Sequence, residues 1–285
     1  MKRSAKTPVK WQVAAVQMRF QARIADNLAF ILDRIAELAA AGADVILFPE
    51  CAVTGYNVDF AAVPRADVEA ALKSIAAAAR EHQCHVLVGS PTFEGRRRYN
   101  SLVVFNRRGR EVFRYSKIHL TPRDRQWFTP GNALAFFRLD GVPCTALICH
   151  ERRYPEVVRL PVMLGARIIF HPNAGLDSLE VSRTKRRGRD GIVARAFENQ
   201  VPYVFANSVG PQGDGLWSAG DSKIVGADAR MLALADNRRA MTIQAEIDLS
   251  QSGRKYAIEA LQQPAFLRKH WSAMLKAVAA RSKGG

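Results

Sequence analysis

Short, unbroken apolar runs alternating with longer stretches of helical period most restrict what this 285-residue chain can fold into. ADVILFPE (43–50) is apolar at every position from Val45 to Phe48, so as a strand it must be covered on both faces, the situation of strands inside α/β sheets. WQVAAVQM (11–18) and HVLVGSP (85–91) read the same way. Between the first two strands, NLAFILDRIAELAAAG (27–42) places Leu28, Ile31, Leu32, Ile35 and Leu38 on one helical face and stops at Gly42. A second helix is predicted over about 67–81.

The middle of the chain changes character. YNSLVVFNRRGREVFRYSK (99–117) predicts a hairpin whose turn uses Gly109 for a positive φ. FFRL (136–139), TALIC (145–149), RIIF (167–170) and PYVFAN (202–207) continue the strands, with helices predicted at 155–164 and 185–200. DSKIVGAD, MLALAD and AMTIQAEID read as a closing meander, and a loose helical tail begins at about Gln262. A single sheet holds about a dozen such strands only by splitting in two. No linker interrupts the pattern, so one α/β domain with paired sheets and helices on the outer faces is expected.

Composition narrows the class. With 48% apolar residues the chain can bury a large core, and no apolar run reaches the roughly 20 residues of a membrane span. Lys2, Arg3 and Lys6 are not followed by the apolar segment of a secretory signal. Cys51, Cys84, Cys144 and Cys149 have neither Cys-x-x-Cys spacing nor a secreted context, so reduced thiols in a cytoplasm are expected, with no zinc site and no disulfide framework. The formal charge is +16, with basic clusters at Arg107, Arg108 and Arg110 and at Lys185, Arg186, Arg187 and Arg189. No aromatic residues interleave with these arginines, so a solvated basic surface is expected rather than a nucleic-acid groove.

Three reactive side chains each fall at the C-terminal end of a predicted strand: Glu50, Lys117 and Cys149. Singly, each has an ordinary structural reading: a loop glutamate, a solvated lysine, a small core thiol. Together they form a set at the strand ends where open α/β sheets place ligands. A thiol attacking a carbonyl or nitrile carbon needs a base, an oxyanion donor and an acid for the leaving nitrogen. Glu50 can be base and then acid, and Lys117 can hold a positive charge beside the oxyanion. The backbone N–H of His150, which follows Cys149, can be a second donor.

FPE with TGY (48–50, 54–56), SKIHL (116–120), WFTPG (127–131), LICHERRYPE (147–156) and ARAFENQVPYVFANSVG (194–210) occur in this order. The set resembles the nitrilase (carbon-nitrogen hydrolase) superfamily, from Val13 to about Asp248. The resemblance implies a single-domain, four-layer α-β-β-α sandwich over residues 9–250; the remainder, 251–285, lies outside it and is expected to be a partly helical extension that takes part in subunit contacts. It also implies a Glu-Lys-Cys set at Glu50, Lys117 and Cys149, no metal or other cofactor, and association into dimers or larger homo-oligomers. Many relatives carry a further glutamate just before the PG element; here Asp124, one methylene shorter, stands as its counterpart.

His150 replaces the tryptophan that follows the cysteine in nitrile-cleaving members, and the YPE continuation resembles the amidase and carbamoyl-hydrolysing branches. Amide or N-carbamoyl hydrolysis with release of ammonia is therefore expected. Nitrile hydrolysis, or a non-catalytic scaffold with a basic nucleic-acid-binding face, are the alternatives. Arg152 is a candidate reader of a substrate carboxylate, while Arg153 is expected to be structural, tying down Glu151 or Glu156. Tyr56 and Asn173 are candidates for the pocket wall. His171 is expected to satisfy local hydrogen bonds, and the 183–189 basic run is placed at the rim.

Overall fold

A computed structural model of the chain describes residues 10–185, 188, 191–262 and 265–281. Its strands are β1 Lys10–Gln17, β2 Val45–Leu47, β3 His85–Glu94, β4 Arg97–Phe105, β5 Glu111–Ser116, β6 Phe137–Leu139, β7 Val142–Ala146, β8 Ile169–Asn173, β9 Asp177–Ser178, β10 Tyr203–Asn207, β11 Val209–Gly213, β12 Leu216–Ala219, β13 Lys223–Val225, β14 Met231–Leu234 and β15 Met241–Asp248. The helices are α1 Ile24–Ala40, α2 Arg65–Glu81, α3 Pro155–Leu164, α4 Leu179–Thr184, α5 Ile192–Asn199, α6 Lys255–Glu259 and α7 Ala265–Arg281.

Two six-stranded sheets face each other, in the orders β15-β1-β2-β3-β4-β5 and β14-β13-β10-β8-β7-β6. The apolar runs explain the layering. Along β1, Trp11, Val13 and Ala15 point into the core between the sheets, while Ala14 and Val16 point into the core beneath α1 and α2. β2 repeats this, with Val45 and Leu47 between the sheets and Ile46 under the helices. Alternation between two buried surfaces leaves little room for polar side chains, which is why these strands read as largely apolar segments. On the far side Val157, Val158, Val162, Ile192 and Ala196 cover the second sheet from α3 and α5. Helices outside and sheets inside make the four-layer α-β-β-α arrangement that the sequence led us to expect.

Three local expectations change. The closing meander divides: β13 and β14 pair in the second sheet, but β15 crosses to the first and runs antiparallel to β1 along its full length, Lys10 opposite Asp248 and Gln17 opposite Met241. The helix predicted over 185–200 is shorter, starting at Ile192 behind Gly191, whose φ of 79° lies in the left-handed region that favours glycine. β11, β12 and β9 form a small third sheet that the sequence pattern did not predict. Arg186, Arg187 and Arg189 of the basic run lie outside the described residues; Arg183 is exposed and Lys185 pairs with Asp177. Among the described residues, no helix is long and apolar enough to cross a membrane.

Candidate active site

The first sheet supplies two of the reactive side chains. Glu50 lies three residues past β2, and Lys117 directly follows β5; both are fully buried. Lys117 Nζ stands 2.8 Å from Glu50 Oε1 and 2.8 Å from Asp124 Oδ2, so one ammonium bridges two carboxylates. Asn100 Nδ2 donates to Glu50 Oε1 at 2.7 Å, and Ala174 N–H donates to Oε2 at 3.0 Å. Asp124 opens a single 3-10 turn, Asp124–Gln126, which brings its shorter side chain in to Lys117. Tyr56 OH donates to Asp124 Oδ1 at 2.7 Å, and Thr121 donates to Oδ2 through its N–H (3.0 Å) and hydroxyl (2.9 Å).

Two carboxylates and one ammonium leave a net negative charge in a buried space, so the acids separate in pKa. Burial raises Asp124, but the Lys117 charge and the donors around it win and hold Asp124 below its ordinary value. For Glu50 burial outweighs Lys117, and the Asp124 charge adds to it, so its pKa is raised. Lys117 is the reverse case: burial lowers it, yet Glu50 and its other negative neighbours carry it well above the ordinary lysine value.

The second sheet supplies the thiol, with one correction to the sequence reading. β7 ends at Ala146, and Cys149 is not the last residue of a strand but the first of a 3-10 turn, Cys149–Arg153. Its φ of 57° is left-handed, a conformation costing a residue with a Cβ roughly 1–2 kcal/mol, so the surroundings must hold it. Glu151 does part of this. Its fully buried carboxylate accepts from Ile148 N–H (2.7 Å), Ile118 N–H (2.8 Å), His119 N–H (3.0 Å) and Tyr115 OH (2.9 Å). It thereby ties the cysteine turn to the segment after Lys117. The expectation that Arg153 ties down Glu151 is not met: Arg153 is exposed, and Glu151 is held by backbone and Tyr115.

Cys149 is half-buried, and burial first, then the Glu50 carboxylate, push its thiol up to about 12, opposed by Lys117. The resting group is thus a thiol whose proton must leave as it attacks. The other candidates divide. Tyr56 is buried and spends its hydroxyl on Asp124, with its ring 5.8 Å from Lys117 Nζ. Asn173 is buried; its Nδ2 donates to Asn207 Oδ1 at 2.7 Å, while its own Oδ1 is buried without a hydrogen-bond partner. Arg152 is half-buried, and its positive charge bears on both the Cys149 thiol and His171. The His150 ring is half-buried and neutral, with burial lowering it to about 4. Among the described residues no group of three His, Cys, Asp or Glu side chains is placed to hold a metal.

Three positioning features escaped the sequence reading. Asn100, the fourth residue of β4, serves both reactive groups of the first sheet: its side chain donates to Glu50, and its carbonyl accepts from Lys117 N–H at 2.8 Å. Gly89 lets β3 pass against the Pro49-Glu50 peptide, where a Cβ would lie 2.2 Å from Pro49 O and 2.6 Å from Glu50 Cα. Gly131 packs on the end of β5, where a Cβ would lie 2.0 Å from Ser116 O. A strand glycine can mark close backbone approach, and that signal was present at HVLVGSP.

A family model described as carbon-nitrogen hydrolase matches residues 12–256. An (R)-stereoselective amidase from Pseudomonas sp. is 33% identical over 228 residues, covering 79% of this chain and 80% of the relative. A 2-oxoglutaramate amidase from Bacillus subtilis is 29% identical, covering 74% and 80%, and a nitrilase from Pyrococcus abyssi is 31% identical, covering 84% and 90%. Among solved structures, an amidase from Nesterenkonia sp. AN1 superposes with a TM-score of 0.76 at 25% identity, covering 92% of this chain and 99% of that one.

Proposed function

This chain belongs to the carbon-nitrogen hydrolase family, and on that premise we propose that it hydrolyses a carboxamide or N-carbamoyl group with release of ammonia, through a thioester on Cys149. The observation that carries the proposal is the Glu50-Lys117-Asp124 bridge, with Cys149 within its field. Cys149 Sγ bonds to the carbonyl carbon as its proton passes to Glu50. The carbonyl oxygen becomes an oxyanion, met by the Lys117 ammonium and the His150 N–H. When the tetrahedral species collapses, the C–N bond breaks and Glu50 returns the proton to the departing nitrogen, giving ammonia and the S-acyl enzyme. Glu50 then takes a proton from water as its oxygen attacks the thioester. When that second tetrahedral species collapses, the C–S bond breaks and Glu50 hands the proton to the departing sulfur, freeing the acid and restoring thiol and carboxylate.

The amide reading is favoured over nitrile cleavage by His150 at the position after the nucleophile and by the two amidases among the relatives reported above. The half-buried Arg152, charged and near the thiol, supports a substrate bearing a carboxylate close to the scissile group. Ammonia release should be compared across N-carbamoyl amino acids, carbamoyl diamines, ω-amides of dicarboxylates and simple aliphatic amides. The anionic members are expected to lead. Arg152→Ala should raise KM for them about 10-fold or more, the loss of roughly one charge-assisted bond, with little change for neutral amides. Absence of ammonia from every class would overturn the hydrolase proposal, and equal KM effects on neutral and anionic amides would overturn the role of Arg152.

The raised pKa of Glu50 fixes a pH dependence. As the base Glu50 must be ionised, so kcat/KM should fall as pH drops through a pKa above the ordinary glutamate range. Because the Asp124 charge pushes Glu50 up, Asp124→Asn should move this acid limb to lower pH. A pH–rate profile of the two proteins checks this, and a limb that stays or moves upward contradicts it.

A further inference from the structure

His171 lies in β8, fully buried, and takes no part in the steps above. Its Nε2 is 2.9 Å from the carbonyl oxygen of Cys149, and its Nδ1 is 3.0 Å from the hydroxyl of Tyr203 on β10. A carbonyl oxygen only accepts, so Nε2 carries the proton and donates to it. Nδ1 is then the acceptor, and the Tyr203 hydroxyl donates to it. Burial, followed by the Arg152 charge, lowers the ring's pKa and so favours the neutral form that this pair of hydrogen bonds requires.

The carbonyl that His171 holds belongs to the peptide joining Cys149 to His150. A trans peptide is planar, with its C=O and N–H pointing in opposite directions. Fixing Cys149 O on the β8 side therefore aims the His150 N–H the other way. A donor on the carbonyl also polarises the peptide and strengthens its N–H as a donor. The neighbouring peptide is held as well, since Glu151 takes the Ile148 N–H at 2.7 Å. The left-handed φ of Cys149 is thus gripped on each side, by a carboxylate before it and an imidazole after it.

We propose that His171, held in one tautomer by Tyr203, is a positioning residue that orients the Cys149-His150 peptide so that the His150 N–H faces the developing oxyanion. The inference rests on the acyl-enzyme reading and adds a residue to it. It predicts an effect only on steps that pass through a tetrahedral oxyanion. Acylation by p-nitrophenyl acetate is such a step; alkylation by iodoacetamide, a displacement at a methylene carbon, is not.

His171→Phe keeps an aromatic ring but removes the donor, and should slow p-nitrophenyl acetate acylation about 10²-fold, as loss of an oxyanion donor does. Iodoacetamide should still alkylate Cys149 within about 3-fold of the parent rate, because the charged groups that govern the thiol, Glu50 and Lys117, are unchanged. His171→Gln restores an N–H donor and should recover most of the acylation rate, and Tyr203→Phe should fall between. Acylation by His171→Phe near the parent rate, alkylation falling in step with acylation, or a glutamine variant no better than phenylalanine would each overturn the proposal. A parent enzyme on which no acetyl adduct of Cys149 is found by mass after p-nitrophenyl acetate, or p-nitrophenol release that survives Cys149→Ala, would instead overturn the acyl-enzyme reading.

Discussion

Cys149→Ala is expected to lower ammonia release by about 10⁵-fold or more on whichever amide the parent turns over fastest, since no other group supplies the covalent step. The other three cysteines cannot substitute. Cys84 and Cys144 are buried and their thiols are raised by burial, and Cys51, the neighbour of Glu50, is sealed from solvent. The fold should tolerate the change. The thiol is half-buried, and the turn that carries it is held through backbone groups by Glu151 and His171, not through sulfur. A melting temperature within about 3 °C of the parent should accompany the loss, which corresponds to roughly 1 kcal/mol in a chain of this size. Ammonia production surviving in highly purified variant protein, free of parent enzyme, would end the cysteine mechanism.

Lys117→Met should be the most damaging substitution to the fold as well as to turnover. The lysine is buried and stands 2.8 Å from each of two buried carboxylates. Methionine matches the length of the stem but leaves Glu50 and Asp124 without the charge between them. Breaking a buried pair by removing one partner costs about 3–5 kcal/mol. The cost should depend on pH in a definite direction. Without Lys117, burial and mutual repulsion raise the folded-state pKa values of the carboxylates, so the folded protein favours their protonated forms. The deficit should be largest at neutral and higher pH, and should shrink as pH falls into the carboxylate range and the pair takes up a proton. Turnover should drop at least 10²–10³-fold through loss of the oxyanion charge. Urea unfolding of parent and variant at two pH values tests the first part; a variant within 1 kcal/mol of the parent at neutral pH would show that the bridge is not a structural keystone.

What could be seen in the sequence follows from where the information lies. Glu50 and Cys149 were legible because each ends or follows an unbroken apolar run, and Lys117 because it directly follows the β-rich second half of the hairpin; a polar side chain at such a position has few places to go except the end of a sheet. The paired sheets were legible for the same reason, since strands with no polar alternation need cover on both sides. The migration of β15 away from β14 was not, because period-2 patterning states that a segment is a strand and not which edge it joins. The helix predicted across 185–200 was drawn through Gly188 and Gly191, residues whose positive φ interrupts it. Asn100, Gly89 and Gly131 were missed because each acts on backbone far away in the chain. The true partners of Glu151 were missed because a neighbouring arginine, offered to Glu151 or Glu156, is conspicuous in a sequence, whereas three backbone N–H groups are not.

Base and ammonium hang from one leaf of the molecule and sulfur from the other. Between the leaves lies hydrocarbon contributed by both, including Leu87, Leu102 and Tyr115 from one side and Phe137, Phe170 and Val204 from the other. The reacting groups therefore stand as on the jaws of a vice, and the bulk of the side chains between them sets how far the jaws close. An ordinary hydrocarbon interior thereby becomes the gauge of the reaction distance.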